Sequence, residues 1–148
     1  MSTRPISSTP PAEAVARQAP SGRDVVLAAV VGAVGATVAA FLVALVAIAL
    51  GAPDDAQQLQ PSAFIPFAVF GAVVGALGWS IVLRRSSSPR RLLPRLVAGV
   101  MLVLFLPDVL IAASGSATWG TAVALMVMHV VVAAVLVPVY ARFMPPRD

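Results

Sequence analysis

No cysteine occurs among the 148 residues. That excludes disulfide frameworks, thiolate metal sites and thiol redox chemistry. Lysine is absent too: all ten basic residues are arginine, and only six residues are acidic. A single histidine cannot ligate haem from both faces, and one histidine with one aspartate is too small a donor set for a metal site. No cofactor is therefore expected. Charged residues make up only 11% of the chain against 59% hydrophobic. A soluble domain of this size needs more polar surface, so the composition is that of a membrane protein. The pI near 11.4 would suit nucleic-acid binding if the arginines formed a basic face. They sit instead in short segments between apolar runs, so no nucleic-acid partner is expected.

Four apolar runs stand out, at about residues 25–50, 62–83, 96–113 and 121–140. At ~1.5 Å per residue each can cross a hydrocarbon core of roughly 30 Å. Only helices satisfy their own backbone groups in lipid from single segments like these. The expected fold is thus all-α: a four-transmembrane-helix bundle over residues 24–141. Before it, residues 1–23 are rich in proline and small polar residues and read as a disordered cytoplasmic tail. A short cytoplasmic tail, 142–148, follows. The first apolar run is too long for the core of a signal peptide, although Ala47 and Ala49 resemble a cleavage site.

The arginines orient the bundle. Arg4, Arg17 and Arg23 precede the first run, Arg84, Arg85, Arg90, Arg91 and Arg95 lie between the second and third, and Arg142 and Arg147 follow the fourth. The other two connections carry no basic residue. By the positive-inside rule both termini are cytoplasmic, and a multi-pass protein of the plasma (inner) membrane is expected. The arginine-rich connection either sets topology alone or also binds anionic lipid headgroups, at about 1 kcal/mol per residue; Ser86, Ser87 and Ser88 within it could accept phosphate. Trp79 and Tyr140 fall near the inner boundary and Trp119 near the outer one, where amphipathic rings prefer to sit. Asp24 and Ser62 stand at candidate N-caps. Gly32 and Ala36 in the first helix, and Gly71 and Gly75 in the second, belong to small-residue stripes that let helices approach closely, either within the bundle or between two copies of the chain.

Two ionisable residues lie inside apolar runs: Asp108 in the third and His129 in the fourth. Such residues usually face the bundle interior with a partner. Counting from the short third connection places them ~9 Å and ~12 Å below the same boundary. Similar depth on antiparallel neighbours points to an Asp108–His129 contact. Pro107 removes a backbone donor beside it and is expected to kink the helix. The contact could fix the two helices together, carry a proton or ion, line a small-ligand pocket, or face another subunit.

The order of four runs, the arginine-rich second connection, "LFLPDVL" in the third run and "MHVVVAAVLVP" from Met128 to Pro138 together resemble a family of small four-helix membrane proteins from actinobacteria, a domain of unknown function. The resemblance covers about residues 24–140 and implies the topology and the plasma-membrane location; it implies no activity. The function expected is that of a structural or accessory membrane protein, with the lipid bilayer and a homo-oligomer or another membrane protein as partners. The alternative is a small transporter or proton-coupled permease using Asp108 and His129. Antiport through a first-helix carboxylate is disfavoured, since no ionisable residue lies between Val25 and Leu50. One aspartate and one histidine are too few convergent groups for an enzyme site.

Overall fold

The structure, a computed structural model, describes residues 20–146. Most of the expected N-terminal tail and positions 147–148 lie outside the described residues. Within them the chain forms four long helices: α1 Gly22–Ala49, α2 Pro61–Arg85, α3 Pro89–Ala113 and α4 Trp119–Phe143, with a short 3-10 turn at Gln57–Leu59. All four are long and apolar enough to cross a membrane.

Local chemistry sets the helix ends. The α1 cap is Ser21 rather than Asp24. Its Oγ accepts the Asp24 backbone N–H, while the Asp24 carboxylate accepts the Ser21 N–H, which is a capping box. α2 begins at Pro61 after Gln60, not at a Ser62 cap, because a proline in the first turn loses no hydrogen bond. The same rule starts α3 at Pro89 rather than Leu96, so Arg90, Arg91 and Arg95 ride on the helix and the connection from α2 shrinks to Ser86–Ser88. Thr118 caps α4 by accepting the Thr121 N–H. α1 and α3 both end on a glycine in the left-handed region, Gly51 (φ 99°) and Gly115 (φ 75°). Behind each, crossed backbone bonds satisfy the last carbonyls: Gly51 to Ile48 and Ala52 to Ala47, Gly115 to Ala112 and Ser116 to Ile111.

α1 lies at the centre, packed along both α2 and α4, while α3 sits on the outside against α4. The buried positions of α1 are Ala28, Gly32, Ala36, Ala39, Ala40 and Ala44. Its larger side chains, such as Val26, Val30, Val34 and Leu42, point outward. This small-in, large-out arrangement suits a helix in lipid, where close backbone packing rather than the hydrophobic effect drives association. At Gly32 three helices converge: a Cβ there would stand 2.9 Å from the Leu136 side chain and 3.8 Å from the Ala72 Cβ. α2 meets α1 through Ala68, Ala72 and Ala76.

One polar lock ties α4 to α2. The Tyr140 hydroxyl donates to the Ala72 carbonyl at 2.7 Å. Helical side chains lean toward the N-terminus, so Tyr140 reaches back over Gly75, where a Cβ would stand 2.7 Å from the hydroxyl. Trp79 packs on Tyr140 with ring centroids 5.7 Å apart and donates to the Met144 carbonyl at 3.0 Å. Both rings are buried, so they are internal anchors rather than the boundary aromatics expected; Trp119 is the exposed one. Gly71, by contrast, takes no part in packing among the described residues. It is exposed with open space beside it. Four residues overshoot one helical turn by about 40°, which leaves Gly75 at the rim of the buried face and carries Gly71 beyond it.

Gly75→Ala should therefore lower stability in detergent by about 1–3 kcal/mol by driving the buried hydroxyl off its acceptor. Tyr140→Phe should cost about 0.5–1.5 kcal/mol, and Gly71→Ala should stay within about 0.5 kcal/mol of the parent. Chemical or thermal denaturation of the three variants checks the order.

Candidate functional site

α3 turns one stripe toward the protein. Pro89, Leu93, Asp108 and Ala112 are buried along it, with Val97, Met101 and Phe105 half-buried between them. Steps of three and four residues keep these positions on one face. Asp108 is the only charged member. α3 is also the least enclosed helix: 11% of its most apolar window is buried, against 33% for α1. Few contacts hold it, so each one weighs more.

The partner of Asp108 is on α4. His129 Nδ1 stands 3.2 Å from Asp108 Oδ2. Both atoms are buried, yet the ring and the carboxylate are not aligned for a hydrogen bond; among the described residues these are the two buried side-chain polar atoms that lack one. The contact is thus at ion-pair distance, short of an ideal hydrogen bond. Phe105, one turn before Asp108, sets its ring edge-on to the imidazole at 6.4 Å between centroids and closes one side of the contact. The two partners differ in access: the Asp108 side chain is 8% exposed and that of His129 is 32% exposed. The carboxylate is enclosed, and the far edge of the imidazole reaches the surface of the chain.

Pro107 precedes Asp108 on α3. It is exposed, and α3 continues as helix through it to Ala113. Among the described residues no cluster of three or more acidic or histidine side chains could hold a metal ion. The hydroxyls nearest by sequence, Ser114 on the α3 side and Thr121 on α4, are engaged with Ile111 and Ser116 and with Thr118. Two surface grooves, one along Arg95–Leu104 of α3 and one between α1 and α4 near Val46 and Val123, are lined by neither Asp108 nor His129.

The remaining site residues expected from the sequence separate into two groups. Gly32, Ala36 and Gly75 lie in helix contacts within the chain. Arg84, Arg85, Arg90, Arg91 and Arg95 are exposed around the α2–α3 connection. Arg84 donates to the Pro20 carbonyl at 3.0 Å and Arg90 to the Pro146 carbonyl at 3.2 Å, so these two tie both described ends of the chain to that connection.

Residues 20–145 match the family described as "Family of unknown function (DUF6069)", and the chain belongs to it. No curated protein and no solved structure matches the chain.

Asp108→Ala and His129→Ala should each lower stability, and the double variant should lose less than the sum. A double-mutant cycle should return a coupling of about 0.6–1.7 kcal/mol, the range of interhelical polar contacts in membranes. Additive losses would mean that the two groups do not interact.

Proposed function

We propose that this member of the family is a structural or accessory protein of the plasma (inner) membrane, non-catalytic and without a cofactor, in which the Asp108–His129 contact fastens α3 to the rest of the bundle. The observation that carries this reading is the burial of Asp108, 3.2 Å from His129, on the one helix that has little other packing. An unpartnered carboxylate at that depth costs several kcal/mol, so the outer helix gains a strong preference for the register that brings the imidazole to it.

Orientation follows from the arginines. Those described, from Arg23 to Arg142, all lie at helix ends on one side of the bundle, and the positive-inside rule makes that side cytoplasmic, with both termini on it. The partners proposed are the bilayer itself and a second membrane protein or further copy of the chain. Proton-coupled transport through the same pair is the competing reading. It is favoured by the imidazole, whose outer edge is accessible while its inner nitrogen faces the acid.

Two measurements test the proposal. Proteoliposomes of the parent should show proton flux at background, and Asp108→Asn should lower stability without changing that flux; flux that Asp108→Asn abolishes would establish transport instead. Because the chain has no cysteine, single cysteines report topology cleanly. In intact cells a membrane-impermeant maleimide should label Ser116→Cys, and it should label Ser87→Cys only after permeabilisation. The reverse pattern would invert the topology.

A further inference from the structure

The side of α3 turned away from the protein has an order of its own. Opposite the buried stripe runs a row of residues four apart, Arg91, Arg95, Gly99 and Val103, all exposed. Such residues stack one above another along a helix, so two guanidinium groups lead directly onto a gap where Gly99 has no side chain. A Cβ at Gly99 would meet nothing within 4 Å. The gap forms the floor of an open groove of about 410 Å³, walled by Leu96, Val100 and Leu104 and headed by Arg95. One end is cationic and the remainder aliphatic.

Among the described residues the positive charge at this end of the bundle is not balanced. Asp24 is the acidic residue described there, and its carboxylate is engaged with Ser21. Arg84 and Arg90 are committed to backbone carbonyls, whereas Arg95 makes no such bond to the described chain. A guanidinium on a lipid-facing helix at the edge of its apolar run extends toward headgroup level. There it meets phosphate, for which its planar fork is well matched.

We propose that this face of α3 seats one anionic phospholipid, with its phosphate on Arg95 and Arg91 and an acyl chain lying over Gly99 toward Val103 and Leu104. The seat rests on the membrane reading above and adds a specific lipid to it. Charge complementarity selects an anionic headgroup over a zwitterionic one. The glycine gap distinguishes a seat from a diffuse attraction, because headgroup contacts alone need no groove.

Native mass spectrometry of the full chain released from nanodiscs tests it, using dioleoylphosphatidylglycerol and dioleoylphosphatidylcholine as probes. The parent should retain one phosphatidylglycerol in preference to phosphatidylcholine. Arg95→Gln should weaken that retention about fivefold, the equivalent of roughly 1 kcal/mol for one basic residue at the membrane surface. Gly99→Leu, which fills the groove floor without a clash and leaves every arginine in place, should weaken it at least as much. Arg142→Gln, at the same end of the bundle on α4, should leave it unchanged. Equal losses from Arg95→Gln and Arg142→Gln, no effect of Gly99→Leu, or equal retention of the two lipids would each overturn the seat. Any of these in a protein that remains in the bilayer after carbonate washing sinks the lipid seat alone. Failure to remain in the bilayer would sink the membrane reading instead.

Discussion

Close approach of α1 to two neighbours at once is the constraint on which the rest of the structure depends. Lipid tails are as apolar as leucine, so helices in a bilayer gain nothing by hiding large aliphatic groups from their surroundings. What they gain is dispersion and packing over a large area of near contact. A face made of Ala28, Gly32, Ala36, Ala40 and Ala44 supplies that area, because nothing on it holds α2 or α4 away. Large residues on α1 then have only the outer surface left, which is where Val30, Val34 and Leu42 lie. The Tyr140–Ala72 bond follows from the same closeness, since the hydroxyl reaches a backbone carbonyl only across a glycine.

α3 stands outside this arrangement, and its attachment uses different means. It has no comparable stripe of small residues, and its inward face holds a leucine, a methionine, a phenylalanine and an acid. Shape alone fixes such a face weakly, since alternative registers bury similar groups. A buried carboxylate removes the ambiguity, because one register brings it to an imidazole and the others leave it alone in a medium that cannot solvate it. The opposite face of the same helix carries the arginine row and the glycine gap. The helix that is least held by protein is therefore also the one with the most to offer lipid.

Much of this was legible in the sequence, for identifiable reasons. The four spans follow from run length, because a bilayer sets a minimum helix length that few other contexts impose. The Asp108–His129 contact follows from depth counting along two helices joined by a short turn. The starting point of α3 was missed because arginines read as loop, although Pro89 with two following arginines makes a good first helical turn. The burial of Trp79 and Tyr140 was missed because boundary position and ring type fit an interfacial role equally well. Only the three-dimensional register of α2 against α4 shows that Gly75 leaves room for the tyrosine. The glycine pair spaced by four does not act as one face within the chain: Gly75 packs under Tyr140, while the drift of the row turns Gly71 outward. The α2 stripe buried in the bundle is Ala68, Ala72 and Ala76. The groove over Gly99 could have been found by following the row from Arg91 and Arg95 into the apolar run.

The fastening role of Asp108 is tested most directly by the distance between α3 and α4 in a bilayer. Spin labels on cysteines replacing Leu110 and Val123, both exposed and on different helices, would report it without background from native thiols. The parent should give a single narrow distance distribution, and Asp108→Leu should broaden it or shift it to longer distances as α3 loses its register. An unchanged distribution in Asp108→Leu would contradict the role, because it would show α3 held in place without the contact.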